Sequence, residues 1–325
     1  MPPTCGAPAP RPGGLAGLLW VAHTIDGMSQ NLRTVTRPDG RTVAYAVWGD
    51  PAGSPIFSLH GTPGSRLNRH PDESKVAEAG AWVITYDRPG YGSSSRHHGR
   101  VVADCVGDVA AIADELGIGQ FAVTGGSGGG PHCLAVAAGL PERVTRAACV
   151  VGVAPFDRLG DAFFDGMDPE NIKEFGWATE SETRLAGELR READGMLTRM
   201  AADPATVLGD FDIPEADRAI LGRPDIAAVM RESITDGIGR SVDGWVDDDL
   251  AFTRPWGFDV ESVSVPTSVW WGTQDVLVPR GHGEWLAAHV PNAIRRIDDS
   301  GGHQMDPETR ISLLYNWLLR GGDLA

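Results

Sequence analysis

The stretch Phe121-Ala122-Val123-Thr124-Gly125-Gly126-Ser127-Gly128-Gly129-Gly130 decides how this chain is read. A short apolar run, Phe121 to Val123, stops at a glycine cluster, and a helical stretch from His132 to Gly139 follows. Glycines at 125 and 129 flank Ser127 in a G-x-S-x-G pattern. A strand that turns sharply into a helix leaves no room for side chains at those two positions. The pattern therefore predicts a tight turn that lifts the Ser127 hydroxyl clear of a sheet and aims the next N–H at a reacting oxygen. A phosphate loop would need Gly-Lys-Ser/Thr, and a dinucleotide loop would need G-x-G-x-x-G at the first strand; neither fits.

Outward from the turn, short apolar strands alternate with helical stretches. Thr42 to Trp48, Pro55 to Leu59, Trp82 to Tyr86 and Val144 to Val153 read as strands, and Val101 to Leu116 reads as a helix ended by Gly117. The rhythm breaks across residues 156–264, where only helical stretches such as Asn171 to Met200 and Asp225 to Arg240 are found. It resumes with the strand Thr267 to Trp271, the helix Gly281 to Val290, the strand Ala293 to Ile297 and the helix Pro307 to Arg320. This pattern predicts an α/β fold: a mostly parallel central sheet with helices on both faces. The predicted core comprises 29–155 and 265–325. Residues 156–264 are an inserted helical cap over the carboxyl edge of the sheet, where such folds bind ligands.

A serine hydroxyl is a weak nucleophile at its ordinary pKa, so Ser127 needs a general base and an acid to orient that base. In sites of this kind the order along the chain is serine, carboxylate, histidine. His303 follows the last predicted strand by a few residues and precedes the final helix. Asp275 directly follows the penultimate strand, in Gly272-Thr273-Gln274-Asp275. Both then lie at the same sheet edge as Ser127. Asp298 and Asp299 compete for the role of the acid. The oxyanion hole is expected from the N–H of Gly128 and, in the loop His60-Gly61-Thr62-Pro63-Gly64, from that of Thr62. His60 and His132 are read as structural, and the turn Asp87-Arg88-Pro89-Gly90-Tyr91-Gly92 as a buttress acting through its backbone.

His-Gly-x-Pro-Gly, Asp-Arg-Pro-Gly-x-Gly-x-Ser, G-x-S-x-G, Gly-x-x-Asp and Gly-His, in that order, resemble the α/β-hydrolase superfamily. Within it the chain looks like the capped branch of esterases, carbon–carbon bond hydrolases, proline iminopeptidases and cofactor-free haloperoxidases. The resemblance implies an α/β-hydrolase fold, a Ser127–Asp275–His303 triad, and oxyanion donors at Thr62 and Gly128. It covers roughly residues 33 to 155 and 265 to 322. Some departures narrow the field. Dehalogenases and epoxide hydrolases of this fold place Asp where Ser127 stands. Proline iminopeptidases usually carry Trp at the position of Gly128, and haloperoxidase-like enzymes an aromatic residue at that of Thr62.

Lys and Arg number 28 against 44 Asp and Glu, a formal charge of −16. That field repels phosphate backbones and anionic headgroups, so neither nucleic acid nor membrane is expected as a partner. The four cysteines, Cys5, Cys105, Cys133 and Cys149, form no CxxC pair, and no metal or cofactor is expected. Buried, reduced thiols fit a cytoplasmic protein. Residues 1–28, rich in Pro, Gly and Ala, read as a disordered N-terminal extension, with Met28 a candidate start. The apolar run Leu15 to Ala22 is too short to span a bilayer and lacks an A-x-A-like cleavage site.

Together these readings predict a serine hydrolase acting through an acyl-serine on a small-molecule ester or related acyl substrate. Apolar residues of the insertion, among them Phe163, Phe164, Phe175, Trp177 and Met230, are expected to line its acyl pocket. A proline iminopeptidase-like aminopeptidase and a carbon–carbon bond hydrolase are the alternatives within the fold. A non-catalytic ligand receptor is the alternative outside catalysis.

Overall fold

Strands β1 (Arg33–Thr36), β2 (Thr42–Gly49), β3 (Ser54–Leu59), β4 (Ala81–Tyr86), β5 (Phe121–Gly126), β6 (Val144–Val150), β7 (Thr267–Gly272) and β8 (Ile294–Asp298) form one sheet. They do so in a computed structural model that describes residues 31–203, 206 and 211–321. The order is β1-β2-β4-β3-β5-β6-β7-β8. β2 pairs antiparallel with β1 and β4, and every other neighbouring pair is parallel. This is the α/β-hydrolase arrangement. The segment 1–28 and Cys5 lie outside the described residues.

Strand alternation divides the core between the two faces. Phe57 of β3, Ile84 of β4 and Val123 of β5 pack on one side with helices α2 (Cys105–Glu115) and α3 (Gly129–Gly139). Their neighbours Ile56, Val83 and Ala122 pack on the other side, with Val76 of α1 (Glu73–Glu78) and residues near the C-terminus. Strands buried on both faces cannot alternate apolar with polar, which is why they read as continuous apolar runs. Cys105, Cys133 and Cys149 are buried free thiols within this core.

Between β6 and β7 the described residues form helices and no strand. After one turn at Phe156–Leu159 come α4 (Pro169–Glu180), α5 (Glu182–Ala202), α6 (Glu215–Leu221), α7 (Pro224–Ile238) and α8 (Asp243–Phe252). The single stretch expected from Asn171 to Met200 is two helices. Ser181 separates them: its extended backbone ends α4, and its side chain caps α5 by accepting from the N–H of Arg184. Leu185, Leu189 and Ala193, four residues apart along α5, face a second apolar cluster that Ile234, Ile238, Trp245 and Leu250 complete.

The chain then returns to the sheet. α9 (Arg280–His289) connects β7 to β8, and the last helical stretch runs Pro307–Thr309, a π-helical segment Arg310–Tyr315, and Asn316–Arg320. β5, β6, β7 and β8 all point their carboxyl ends to one edge, where the loops of Ser127, Asp275 and His303 emerge.

Candidate active site

Ser127 sits at the junction of β5 and α3 with φ 54°, the left-handed region that few non-glycine residues adopt. Such strain marks a position fixed by its surroundings. The Ser127 N–H donates to the carbonyl of Val150 at 2.9 Å, and the Gly130 N–H donates to the Ser127 carbonyl at 2.8 Å. A methyl group on Gly125 would meet the Gly129 carbonyl oxygen at 2.0 Å, and one on Gly129 would meet that of Leu59 at 2.3 Å. Both glycines are therefore required by close backbone approach.

His303 Nδ1 lies 2.8 Å from Asp275 Oδ2. The other Asp275 oxygen accepts the N–H groups of Leu277 and Val278, each at 2.9 Å. The carboxylate can only accept, so Nδ1 carries the proton and Nε2 is left as the basic atom. Burial pushes the imidazole pKa down. The charge of Asp275, its hydrogen bond and the charge of Asp217 outweigh that effect and leave it above the ordinary histidine value. Asp298 is taken up by its own turn, accepting from the N–H and hydroxyl of Ser300, and the Asp299 carbonyl accepts from the hydroxyl of Thr273. Of the three carboxylates considered, Asp275 is the one hydrogen-bonded to His303.

The His60–Gly64 loop lies against the turn: a methyl on Gly61 would stand 3.4 Å from Ser127 Cβ, and one on Gly128 only 2.2 Å from Thr62 Oγ1. The Thr62 hydroxyl donates to Asp248 Oδ2 at 2.6 Å. Asp248 also accepts from Arg88 Nη2 at 2.6 Å, Tyr91 Oη at 2.9 Å and Arg100 Nη2 at 2.6 Å, with no exposure to solvent. Arg88 bonds the carbonyls of His60 and Gly61 as well. The Asp87–Gly92 turn thus buttresses the loop through the expected backbone, with the Arg88 N–H donating to His60 Nε2 at 3.2 Å, and also through the Arg88 side chain, which was not expected. An arginine in a turn gives no hint that its partner lies 160 residues away.

His60 is buried, with Nδ1 2.7 Å from the Gly61 carbonyl and Nε2 accepting from the Arg88 N–H. His132 Nδ1 lies 2.8 Å from the Gly128 carbonyl. Burial and the Arg88 charge drive the His132 pKa to about 3, so it stays neutral. Both histidines serve the loops around Ser127.

Ser127, Thr62, Gly128 and His303 line one cavity of about 540 Å³, and Asp275 stands behind His303. Phe175, Trp177 and Met230 of the inserted helices contribute to its wall, together with Ile234, Phe252 and Leu277. Phe163 and Phe164 do not. Phe163 is fully buried in an aromatic cluster with Phe156, Phe164, Phe175 and His282. Composition alone cannot tell which aromatics of an inserted segment face a pocket and which pack among themselves.

Four carboxyl residues of the insertion line the cavity, Glu170, Glu174, Glu192 and Asp249, and two of them, Glu174 and Asp249, sit side by side. Glu174 Oε1 accepts from the indole N–H of Trp245 at 2.8 Å, while Asp249 is buried beside it with Oδ2 meeting no donor. Burial pushes both pKa values up, and the Glu174 charge pushes Asp249 further, so the pair holds a proton between them. Among the described residues no group of three His, Cys, Asp or Glu side chains is placed to hold a metal ion.

The family model for the alpha/beta hydrolase fold matches residues 54–168. The chain is 26% identical over 285 residues to the uncharacterized hydrolase YcgS of Bacillus subtilis, covering 85% of this chain and 93% of that protein. It is 27% identical to a 2-hydroxy-6-oxononadienedioate/2-hydroxy-6-oxononatrienedioate hydrolase of Burkholderia vietnamiensis, over 87% and 92% of the two chains. Among solved structures, an alpha/beta hydrolase fold protein from Nakamurella multipartita aligns with a TM-score of 0.66 at 24% identity, over 90% of this chain and all of the other.

Proposed function

From its membership of the α/β-hydrolase superfamily, we propose that this hydrolase cleaves a small ester or related acyl substrate through an acyl-serine on Ser127. The observation that carries the reading is the Asp275–His303 hydrogen bond at 2.8 Å, at the cavity into which the strained Ser127 turn opens. In the first step Nε2 of His303 takes the Ser127 hydroxyl proton while Oγ attacks the acyl carbon. The carbonyl oxygen becomes negative between the N–H groups of Thr62 and Gly128. Collapse breaks the bond to the alcohol, which leaves with the proton from His303. Water then gives a proton to His303 and attacks the acyl group, and the second collapse returns the proton to Ser127 as the acid departs. The inserted helices act as a cap: Phe175, Trp177 and Met230 offer the acyl chain an apolar wall and exclude water from the ester bond.

A second reading, an aminopeptidase of the proline iminopeptidase type, is favoured by the Glu174–Asp249 pair. An ammonium group could replace the proton held there. A fluorophosphonate probe and a burst of chromophore from a p-nitrophenyl ester test the first reading directly. Labelling at Ser127 that vanishes in Ser127→Ala is expected. Labelling at another serine, or none, defeats the assignment.

A further inference from the structure

We propose that Asp217, contributed by the inserted helical segment, is a positioning residue for the base: it grips the His303 loop by its backbone and so sets the approach of the imidazole to Ser127. The inference rests on reading Ser127, Asp275 and His303 as the reacting unit. It assigns the inserted segment a part in the chemistry beyond covering the cavity.

Asp217 lies in the first turn of α6 and has no solvent exposure. Its two oxygens are divided between successive amides of the base loop: Oδ2 accepts the N–H of His303 and Oδ1 that of Gln304, each at 2.8 Å. Among the described residues Asp217 forms no ion pair with Lys or Arg, and its neighbour Arg218 pairs with Asp212 instead. Burying a carboxylate against neutral donors alone carries a desolvation penalty that an apolar side chain would avoid if docking α6 were the sole task. What the carboxylate adds is direction. Two parallel N–H···O bonds to adjacent amides fix both the position and the tilt of the peptide that bears the imidazole.

The base loop is built to admit this contact. A methyl group on Gly302 would stand 2.3 Å from Asp217 Oδ2, so a side chain there would push the carboxylate away. Ile220, three residues after Asp217 on the same short helix, lines the cavity. α6 therefore touches the substrate space with one side chain and the base loop with another. The charged groups around the His303 imidazole are Asp275, from the loop after β7, and Asp217, from α6, and both favour its protonated form.

The test uses the full chain with Asp217→Asn. Three quantities are measured: the rate of fluorophosphonate labelling at Ser127 against pH, the titration of the His303 ring by nitrogen-15 NMR, and thermal melting. The variant keeps the side-chain shape, removes the charge and turns one acceptor into a donor. In the folded variant, labelling should slow by about 10- to 100-fold, the scale of a misplacement near 1 Å. Its acidic limb and the His303 midpoint should both move to lower pH, and Asp217→Glu should restore the midpoint at least in part. A purely structural role would lower the melting temperature and leave the midpoint where it was. Folded Asp217→Asn labelled at the wild-type rate with an unmoved midpoint overturns the inference. Should Asp217→Asn not fold, Gly302→Ala, which retains the charge but displaces the carboxylate, is expected to slow labelling. A wild-type rate in Gly302→Ala would overturn the inference equally. Wild-type protein that is not labelled at Ser127 at all would defeat the hydrolase reading and the inference with it. Normal labelling with insensitive variants defeats the inference alone.

Discussion

Asp248 accepts the Thr62 hydroxyl at 2.6 Å across 186 positions of sequence, tying the loop that faces Ser127 to a helix inserted between β6 and β7. The same carboxylate receives Arg88, Arg100 and Tyr91. Burial pushes its pKa up, but the Arg88 and Arg100 charges override this and hold it well below the ordinary carboxylate range. A depressed folded pKa means that its contribution to stability is complete above about pH 4 and is lost only as the pH falls further. The His60–Gly64 loop is thus pinned by charge throughout the neutral range.

Asp248→Asn is expected to destabilise the protein by about 3–5 kcal/mol, because two buried guanidinium groups lose their counter-charge. Residual folded protein should hydrolyse p-nitrophenyl esters with reduced kcat, since Thr62 is released. Thr62→Val should lose part of the kcat and little of the stability. Melting curves and steady-state kinetics on both variants check this. Equal melting temperatures for wild type and Asp248→Asn would show that the network is not what holds the loop.

Asp275→Asn should leave Ser127 and the cavity in place yet reduce kcat by about 10³- to 10⁴-fold, the scale seen when a triad histidine loses its orienting carboxylate. The proposed mechanism requires neutral His303, whose pKa is raised, so wild-type kcat/KM should fall as the pH drops, with a midpoint above the ordinary value of about 6.5. Removing the Asp275 charge should move that midpoint down. An Asp298→Asn variant that is crippled while Asp275→Asn stays active would reassign the acid.

The Glu174–Asp249 pair allows the ester and amine readings to be separated. Both carboxyl pKa values are raised, so the shared proton leaves as the pH rises, and affinity for an ammonium-bearing substrate should rise with it. Asp249→Asn should then raise KM for an aminoacyl ester about tenfold more than for its desamino analogue, a differential of about 1.4 kcal/mol. If KM changes equally for both, the pair does not bind an amine.

Much of this was legible before any coordinates. Continuous apolar runs such as PIFSL and TSVWW fix strands buried on both faces, and the glycines around Ser127 fix a turn that only small residues can make. Asp275 and His303 could be placed at the same edge because Asp275 directly follows one strand and His303 comes a few residues after the next. What stayed hidden has a common cause. Asp248, Asp217 and the Glu174–Asp249 pair act through tertiary contacts from a segment rich in acidic residues, where nothing local separates a buried carboxylate from a solvated one. The π-helical segment Arg310–Tyr315 was equally hidden, since its apolar spacing reads as ordinary helix.

The last prediction concerns the large apolar residues of the insertion, some of which line the cavity while others are enclosed in the core. Trp177 and Met230 line the cavity and are partly buried, whereas Phe163 is fully enclosed against Phe156, Phe164, Phe175 and His282. Truncating a wall residue removes contact with the substrate and widens the pocket. Truncating a core residue leaves a void that its neighbours fill only in part, at about 3–5 kcal/mol for Phe→Ala. Trp177→Ala and Met230→Ala should therefore shift kcat/KM toward longer acyl chains, with p-nitrophenyl acetate still turned over and a small loss of stability. Phe163→Ala should lower the melting temperature substantially and leave the ranking of acyl lengths as in wild type. The measurement is a kcat/KM series on p-nitrophenyl esters of increasing chain length, run below each variant's melting transition. If the cavity variants lose all chain lengths in the same proportion, the inserted helices support the fold without selecting the acyl group, and the cap reading fails at that point.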